Sequence, residues 1–281
     1  MTQDRVRICM ATSYDAKFMG IGDYAAMTHR LYGERHGLTV VSMVGMPLER
    51  PPAWHRVQWI PKLLGDGFDY VLWIDADAVF RRFDVDIRSV IDGKSDLYMV
   101  QHSSPVARTS LFPNTGVMLV RNSTWCRELF AKLWSMEGYL THRLWENAAL
   151  CKLLGYNCLL GEGPDSFNHD LLSHISWLPT DWNHIPSICI GGEPIIRHYA
   201  GFSDEARRRE IPVEALRASF IARGVELADV SPELLEARWQ KAPLTAKQRR
   251  RLYRRKFKTA VREGIGAAVR ASIGRLIYGA S

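Results

Sequence analysis

The feature that most constrains this chain is the run Tyr70-Val71-Leu72-Trp73-Ile74, which leads straight into Asp75-Ala76-Asp77. The run has no polar alternation, so it is expected to be a strand covered on both faces, as in a mostly parallel sheet with helices on either side. Ending such a strand on two carboxylates one residue apart is costly, because like charges repel and desolvation disfavours both. A divalent cation removes that conflict. Hard oxygen ligands suit Mn2+ or Mg2+, which can bridge carboxylates to a diphosphate and offset charge on a leaving nucleotide. The plainer alternative is that one Asp caps the following turn and the other is merely exposed.

The flanking sequence keeps the same α/β rhythm. Residues 6–11 read as a first strand that ends at a polar turn, Thr12-Ser13-Tyr14-Asp15, where such proteins place ligand-binding loops. Asp23 is expected to cap a helix over 24–35, which stops at His36-Gly37 before a strand over 38–44. A helix follows over 54–64, with Pro61 as a possible disturbance. Strands are expected at 97–100 and 117–120, and helices at 124–134 and 143–154, opened by Asn122/Ser123 and by Thr141. After Trp182 the pattern loosens around Ile195-Ile196-Arg197-His198, and 204–239 looks helical. The expected architecture is a doubly wound, Rossmann-like α/β body over residues 1–244 and a helical basic tail over 245–281.

Charge separates those two parts. The chain of 281 residues, 47% hydrophobic, is long enough for a sizeable core, and its net charge is +7. Residues 245–281 hold eleven bases against the single acid Glu263, so the body is close to neutral. A near-neutral body argues against nucleic acid as the partner, although a protein whose basic tail contacts phosphates stays as an alternative. Within the tail, Leu252, Phe257, Val261, Ile265, Val269, Ile273, Leu276 and Ile277 fall close to helical spacing. Such a segment either lies on an anionic membrane surface or is a solvated end. No apolar run approaches the roughly 20 residues that span a bilayer, and Cys9, Cys126, Cys151, Cys158 and Cys189 are an odd set without a CxxC pair. Together these point to a cytoplasmic protein, soluble or peripheral.

The segment from Tyr70 to Phe80 resembles the DxD region of glycosyltransferase family 34, the galactosyl/xylosyltransferases, and their relatives. Other segments agree in order: Gly22-Asp23-Tyr24 through His36-Gly37, Trp54-His55-Arg56 with Lys62-Leu63-Leu64, Asn114-Thr115-Gly116 with the strand after it, Glu146-Asn147, and His198-Tyr199-Ala200-Gly201. The resemblance covers roughly residues 5 to 202. It implies a GT-A fold, a nucleotide-sugar donor that is UDP-linked, a saccharide or lipid-linked acceptor, and retention of configuration. It further implies that Asp75, Asp77 and His198 hold the metal and that Thr12, Ser13 and Arg56 lie near the nucleotide. Asn114, Thr115 and Gly116 would line the sugar pocket and Gly201 would lie at the donor site, with Glu146 and Asn147 against the donor sugar and the acceptor hydroxyl.

Read without that resemblance, each position has a plainer role. Thr12 and Ser13 can satisfy a turn, Arg56 can be helix surface, His198 a structural imidazole, Asn114 to Gly116 a strand start, and Glu146-Asn147 an ordinary first helical turn. Trp145 offers a stacking face for a sugar, or a core contact. The chain also departs from the family in two places. The acidic pair at the helix start is reduced to Trp145-Glu146, and the lysine expected shortly after Gly201 is absent, leaving Arg207, Arg208 or Arg209 as substitutes or as solvated surface. Metal-dependent nucleotidyl transfer is the alternative chemistry for the same carboxylates.

Overall fold

The computed structural model describes residues 6–46, 49–103, 111–157, 165–189 and 191–224. Its main sheet has six strands: β1 (Ile8–Tyr14), β2 (Thr39–Val44), β3 (Tyr70–Ile74), β5 (Leu97–Ser103), β6 (Leu111–Arg121) and β7 (Ile175–Leu178), in the order β2-β1-β3-β6-β5-β7. Pairing is parallel for β1/β2, β1/β3 and β5/β7 and antiparallel for β3/β6 and β5/β6, so β6 alone runs against the other five. Two short strands, β4 (Ala78–Phe80) and β8 (Ile196–His198), pair antiparallel in a separate ladder.

β3 shows why its sequence is apolar throughout. Val71 and Trp73 enter the core on one face of the sheet, and Tyr70, Leu72 and Ile74 enter the core on the other. Alternate residues of a strand point to opposite faces, so two covering layers demand an unbroken hydrophobic run. One layer is formed by α2 (His55–Gly65), α3 (Thr124–Ser135) and α4 (Trp145–Leu154), the other by α1 (Met19–His36) and α6 (Asp204–Ala222), with the short α5 (His169–Leu172) before β7. Gly37, in the left-handed region at φ 62°, closes α1. Gly33 lets α1 approach β2, since a Cβ there would come within 2.2 Å of Val40.

Several boundaries differ from those expected. β1 continues through Thr12, Ser13 and Tyr14, so the turn begins only at Asp15; parallel pairing of Ser13 with Met43 and of Tyr14 with Val44 outweighs the local turn preference. α1 begins at Met19, four residues before Asp23, whose carboxylate accepts from the Tyr14 hydroxyl instead of capping a helix. α4 begins at Trp145 with no side-chain cap, so Thr141 does not open it. Pro61 lies inside α2 and Pro212 inside α6 without ending either helix. β4 and β7 carried too short a pattern to be read in advance, and β8 fell where the pattern loosens. The body–tail boundary at 244/245, the tail itself and the helical reading beyond residue 224 lie outside the described residues.

β6 is eleven residues long and takes in Asn114, Thr115 and Gly116, which the sequence placed at a strand start. Its register against β5 jumps from Met99↔Met118 to Val100↔Asn114, which leaves 115–117 bulged away from β5. The bulge falls beside the end of β3, where the Asp75 amide donates to the Gly116 carbonyl at 2.8 Å.

Candidate active site

A cavity of about 390 Å3 opens at the end of the sheet where β1 and β3 terminate. Ser13 and Tyr14 line it from β1 and Asp15 from the turn after it, Asp75 and Asp77 from the turn after β3, and Asn114 to Gly116 from β6 and its bulge. Asn147 comes from α4, His198 and Gly201 from β8 and the turn beyond it, and Arg207 from α6. Most of the residues singled out from sequence therefore meet here, although they span nearly two hundred positions. Thr12 is adjacent but buried, and its hydroxyl has no hydrogen-bond partner.

The β4/β8 ladder brings His198 to the aspartates. Ala78 pairs with His198 in register, and the Tyr199 amide donates to the Asp77 carbonyl at 3.0 Å. The imidazole Nε2 then lies 3.3 Å from an Asp77 carboxylate oxygen and 3.7 Å from one of Asp75. A methyl group on Gly116 would sit 2.1 Å from the imidazole Cε1, so only glycine leaves room for the ring.

Hydrogen bonds fix the imidazole tautomer. The Gly116 amide, an obligate donor, points at Asn114 Oδ1 at 2.9 Å, which makes that oxygen an acceptor. Asn183 Nδ2 therefore donates to the same oxygen at 2.9 Å, and Asn183 Oδ1 is left facing His198 Nδ1 at 2.8 Å. Nδ1 therefore carries a proton, and Nε2 is turned toward the two carboxylates. The two carboxylates and the imidazole, with ligand atoms all within 4.8 Å of one another, fit a divalent metal. Asn183 is fully buried, and nothing in its sequence surroundings marked it.

The two aspartates are held differently. Both oxygens of Asp75 accept from Arg56, at 2.6 and 2.9 Å, and Oδ1 also accepts from the Trp73 indole at 3.0 Å. Asp77 accepts from Arg207 at 2.8 Å. Burial opposes ionisation of Asp77, but His198 and Arg207 outweigh it and hold its carboxyl below the usual carboxylate range. Of the three arginines that might stand in for the missing lysine, Arg207 alone lines the cavity; Arg208 reaches the Lys17 carbonyl and Arg209 pairs with Glu210.

Arg56 is buried, and its guanidinium is engaged on several sides. Besides Asp75 it meets Thr115 Oγ1 at 2.8 Å, Glu146 at 3.2 Å and the Ala53 carbonyl at 3.2 Å. Burial disfavours its charge, and Asp75 and Glu146 restore it. Glu146 lies behind Thr115, not on the cavity wall, and burial pushes its carboxyl up to about 7 against the pull of Arg56. Asn147 braces the β6 bulge by accepting from the Thr115 amide at 2.8 Å and donating to the Pro113 carbonyl at 3.2 Å. Ser13 donates to the Met43 carbonyl and contacts His55 Nδ1 at 2.6 Å, a pairing the sequence did not reveal. Gly201 takes φ 75°, which turns the chain from His198 toward α6.

No protein-family profile and no curated protein matches this chain. Solved structures do match. A glycosyltransferase involved in glycosylation of the major capsid of PBCV-1 is 16% identical over 73% of this chain and 98% of its own, with a TM-score of 0.58. The glycosyltransferase GlyE of Streptococcus pneumoniae TIGR4 is 14% identical over 79% of this chain and 65% of its own, with a TM-score of 0.49. The galactosyltransferase LgtC, solved with donor and acceptor sugar analogues, is 14% identical over 77% of this chain and 96% of its own, with a TM-score of 0.44. The first likeness shows that the chain has a GT-A glycosyltransferase fold; the other two are too distant to add to it.

Proposed function

We propose that this chain is a metal-dependent glycosyltransferase, which moves a sugar from a UDP-linked donor to a hydroxyl of a saccharide or lipid-linked acceptor with retention of configuration. The observation that carries the proposal is the convergence of Asp75, Asp77 and the oriented Nε2 of His198 in one cavity at the end of the sheet. A donor set of two carboxylates and an imidazole suits Mn2+, with Mg2+ as the alternative, and the bound cation would supply electrostatic stabilisation to a departing diphosphate.

The chain's own residues prepare the rest. Arg56 clamps both oxygens of Asp75, so that carboxylate need not reorganise as charge develops. Arg207 contributes a guanidinium beside Asp77, suited to a diphosphate oxygen and standing where the resemblance calls for a lysine. Thr12, Ser13 and Asp15 mark the nucleotide end on β1, and Asn114, Gly116 and Asn147 form the wall that receives the sugar. Glu146 serves this wall from behind by contacting Arg56 and accepting from Thr115. In the transfer, the bond from the anomeric carbon to the diphosphate breaks and its electron pair leaves on the diphosphate. The bond to the acceptor oxygen forms on the same face, and the acceptor proton passes to a diphosphate oxygen, so no strong protein base is required.

Incubation with a panel of nucleotide sugars and Mn2+ tests the proposal. Slow release of the nucleoside diphosphate from one donor, abolished by EDTA, is expected; release of pyrophosphate, or hydrolysis indifferent to EDTA, overturns it. Residues 245–281 are proposed as a peripheral contact with an anionic membrane, a reading supported by their charge and spacing alone. Among the described residues no helix is long and apolar enough to cross a membrane. Equal co-sedimentation of the full chain and a chain ending at residue 244 with anionic liposomes would remove the membrane contact.

A further inference from the structure

On the cavity wall, Trp145 is out of keeping with its surroundings. It is 45% exposed, the only exposed tryptophan among the described residues, whereas Glu146, Ala148, Ala149 and Leu150 just after it are all buried. It is also the only non-glycine residue among those described with a positive φ, at 45°, a conformation that costs a tryptophan backbone energy. A large apolar ring held in a strained conformation and in water gains nothing for the fold. It is held where it lines the cavity that contains Asp75, Asp77 and His198.

The topology says which substrate it would meet. β1 and β6 lie on opposite sides of β3, so Ser13 and Asp15 stand on one side of the aspartates. Asn114 to Gly116 stand on the other, with α4 fastened to them through Asn147. A donor with its nucleotide at β1 and its diphosphate at Asp75 and Asp77 directs its sugar toward the β6 bulge. Trp145, at the start of α4 and two residues before Asn147, lines this cavity together with Phe112 and is still open to solvent. The molecule that enters last, from solvent, is the acceptor.

We infer that Trp145 is the stacking platform of an acceptor subsite, and that the acceptor is recognised there through the C–H face of a pyranose ring. This rests on the glycosyltransferase reading above. An aromatic face rewards a flat apolar surface, and a pyranose offers one when its axial hydrogens share a face, while its hydroxyls stay at the rim in water. The strained backbone fits this role, because it turns the ring out of the core and toward the cavity.

The test is binding of the methyl glycosides of galactose, glucose, mannose and xylose, followed by saturation-transfer NMR on the full chain with UDP and Mg2+. A parallel set of nitrophenyl glycosides of the same sugars separates ring recognition from aglycone recognition. Wild type and Trp145→Phe are expected to bind at least one methyl glycoside, and Trp145→Ala to weaken it about tenfold or more. Trp145→Gly, which accepts the positive φ without strain, should lose binding equally and keeps the test valid if the alanine variant unfolds. Equal binding by the alanine or glycine variant, no methyl glycoside bound by wild type, or losses confined to nitrophenyl glycosides would overturn the inference. Failure of wild type to release nucleoside diphosphate from any donor would instead remove the enzymatic reading beneath it.

Discussion

Asp75 and Asp77 differ by one position in between, yet they belong to differently built flanks. The Asp75 flank is a closed network: Arg56, Thr115 and Glu146 are all buried, and each bonds to at least one of the others. The Asp77 flank is assembled from the β4/β8 ladder and the start of α6, and its cationic partner Arg207 divides itself between Asp77 and the exposed Asp204. The difference teaches that Asp75, the more exposed carboxylate, is held by a buried network behind it, while Asp77 is held by a ladder-borne histidine and by an arginine shared with the surface.

The largest effect should also separate the flanks most sharply. Asp75→Ala and Asp77→Ala are each expected to lower transfer about a thousandfold, several kcal/mol of transition-state stabilisation. Only Asp75→Ala should lower stability by about 3 kcal/mol, because it strips the buried Arg56 of its bidentate partner. Nucleotide-release rates beside urea unfolding would show this, and equal loss of stability in the two variants would erase the distinction.

Next in size is Gly116→Ala, whose methyl group must push the His198 ring aside. About a hundredfold loss of transfer is expected, in line with a misplaced reacting geometry. A rate near wild type would mean that the ring position does not matter to the Asp77 flank. A smaller loss is expected from Asn183→Leu, which frees His198 Nδ1 and with it the tautomer. Mn2+ affinity, read by electron paramagnetic resonance without any sugar present, should fall at least tenfold; unchanged affinity would return His198 to a structural role.

The smallest effect concerns the closed network alone. Burial raises the Glu146 carboxyl to about 7, so the folded protein holds a proton there that the unfolded chain has released. The contribution to stability is therefore fully present below the unfolded value and declines as pH rises toward about 7. Glu146→Gln should flatten the urea midpoint over that window and change transfer less than any substitution above. An unaltered slope would mean that Glu146 stays ionised beside Arg56.

The parts of the site that could be read from the sequence are those placed by local pattern. Tyr70 to Ile74 announced a strand buried on both faces, and that strand determines where Asp75 emerges. The Gly37 stop, the Ser123 cap and the α2 periodicity were similarly local. Arg56 was read as lying near the nucleotide, and it does line the cavity; only the packed structure shows that its donors also hold Asp75, Thr115 and Glu146. Glu146 was read as facing the sugar, and only the structure shows Thr115 between it and the cavity.

What the sequence by itself determined, then, is the α/β rhythm, the covered strand and the carboxylate pair at its end, because hydrophobic periodicity and chain stops act over a few residues. What only the tertiary structure decided is which distant groups complete that pair. A three-residue ladder carries His198 to Asp77, Asn183 sets its tautomer, and the start of α6 selects Arg207 from three adjacent arginines. These choices follow from strand register and from the direction a helix turns its side chains, and both are settled by packing among segments more than a hundred residues apart.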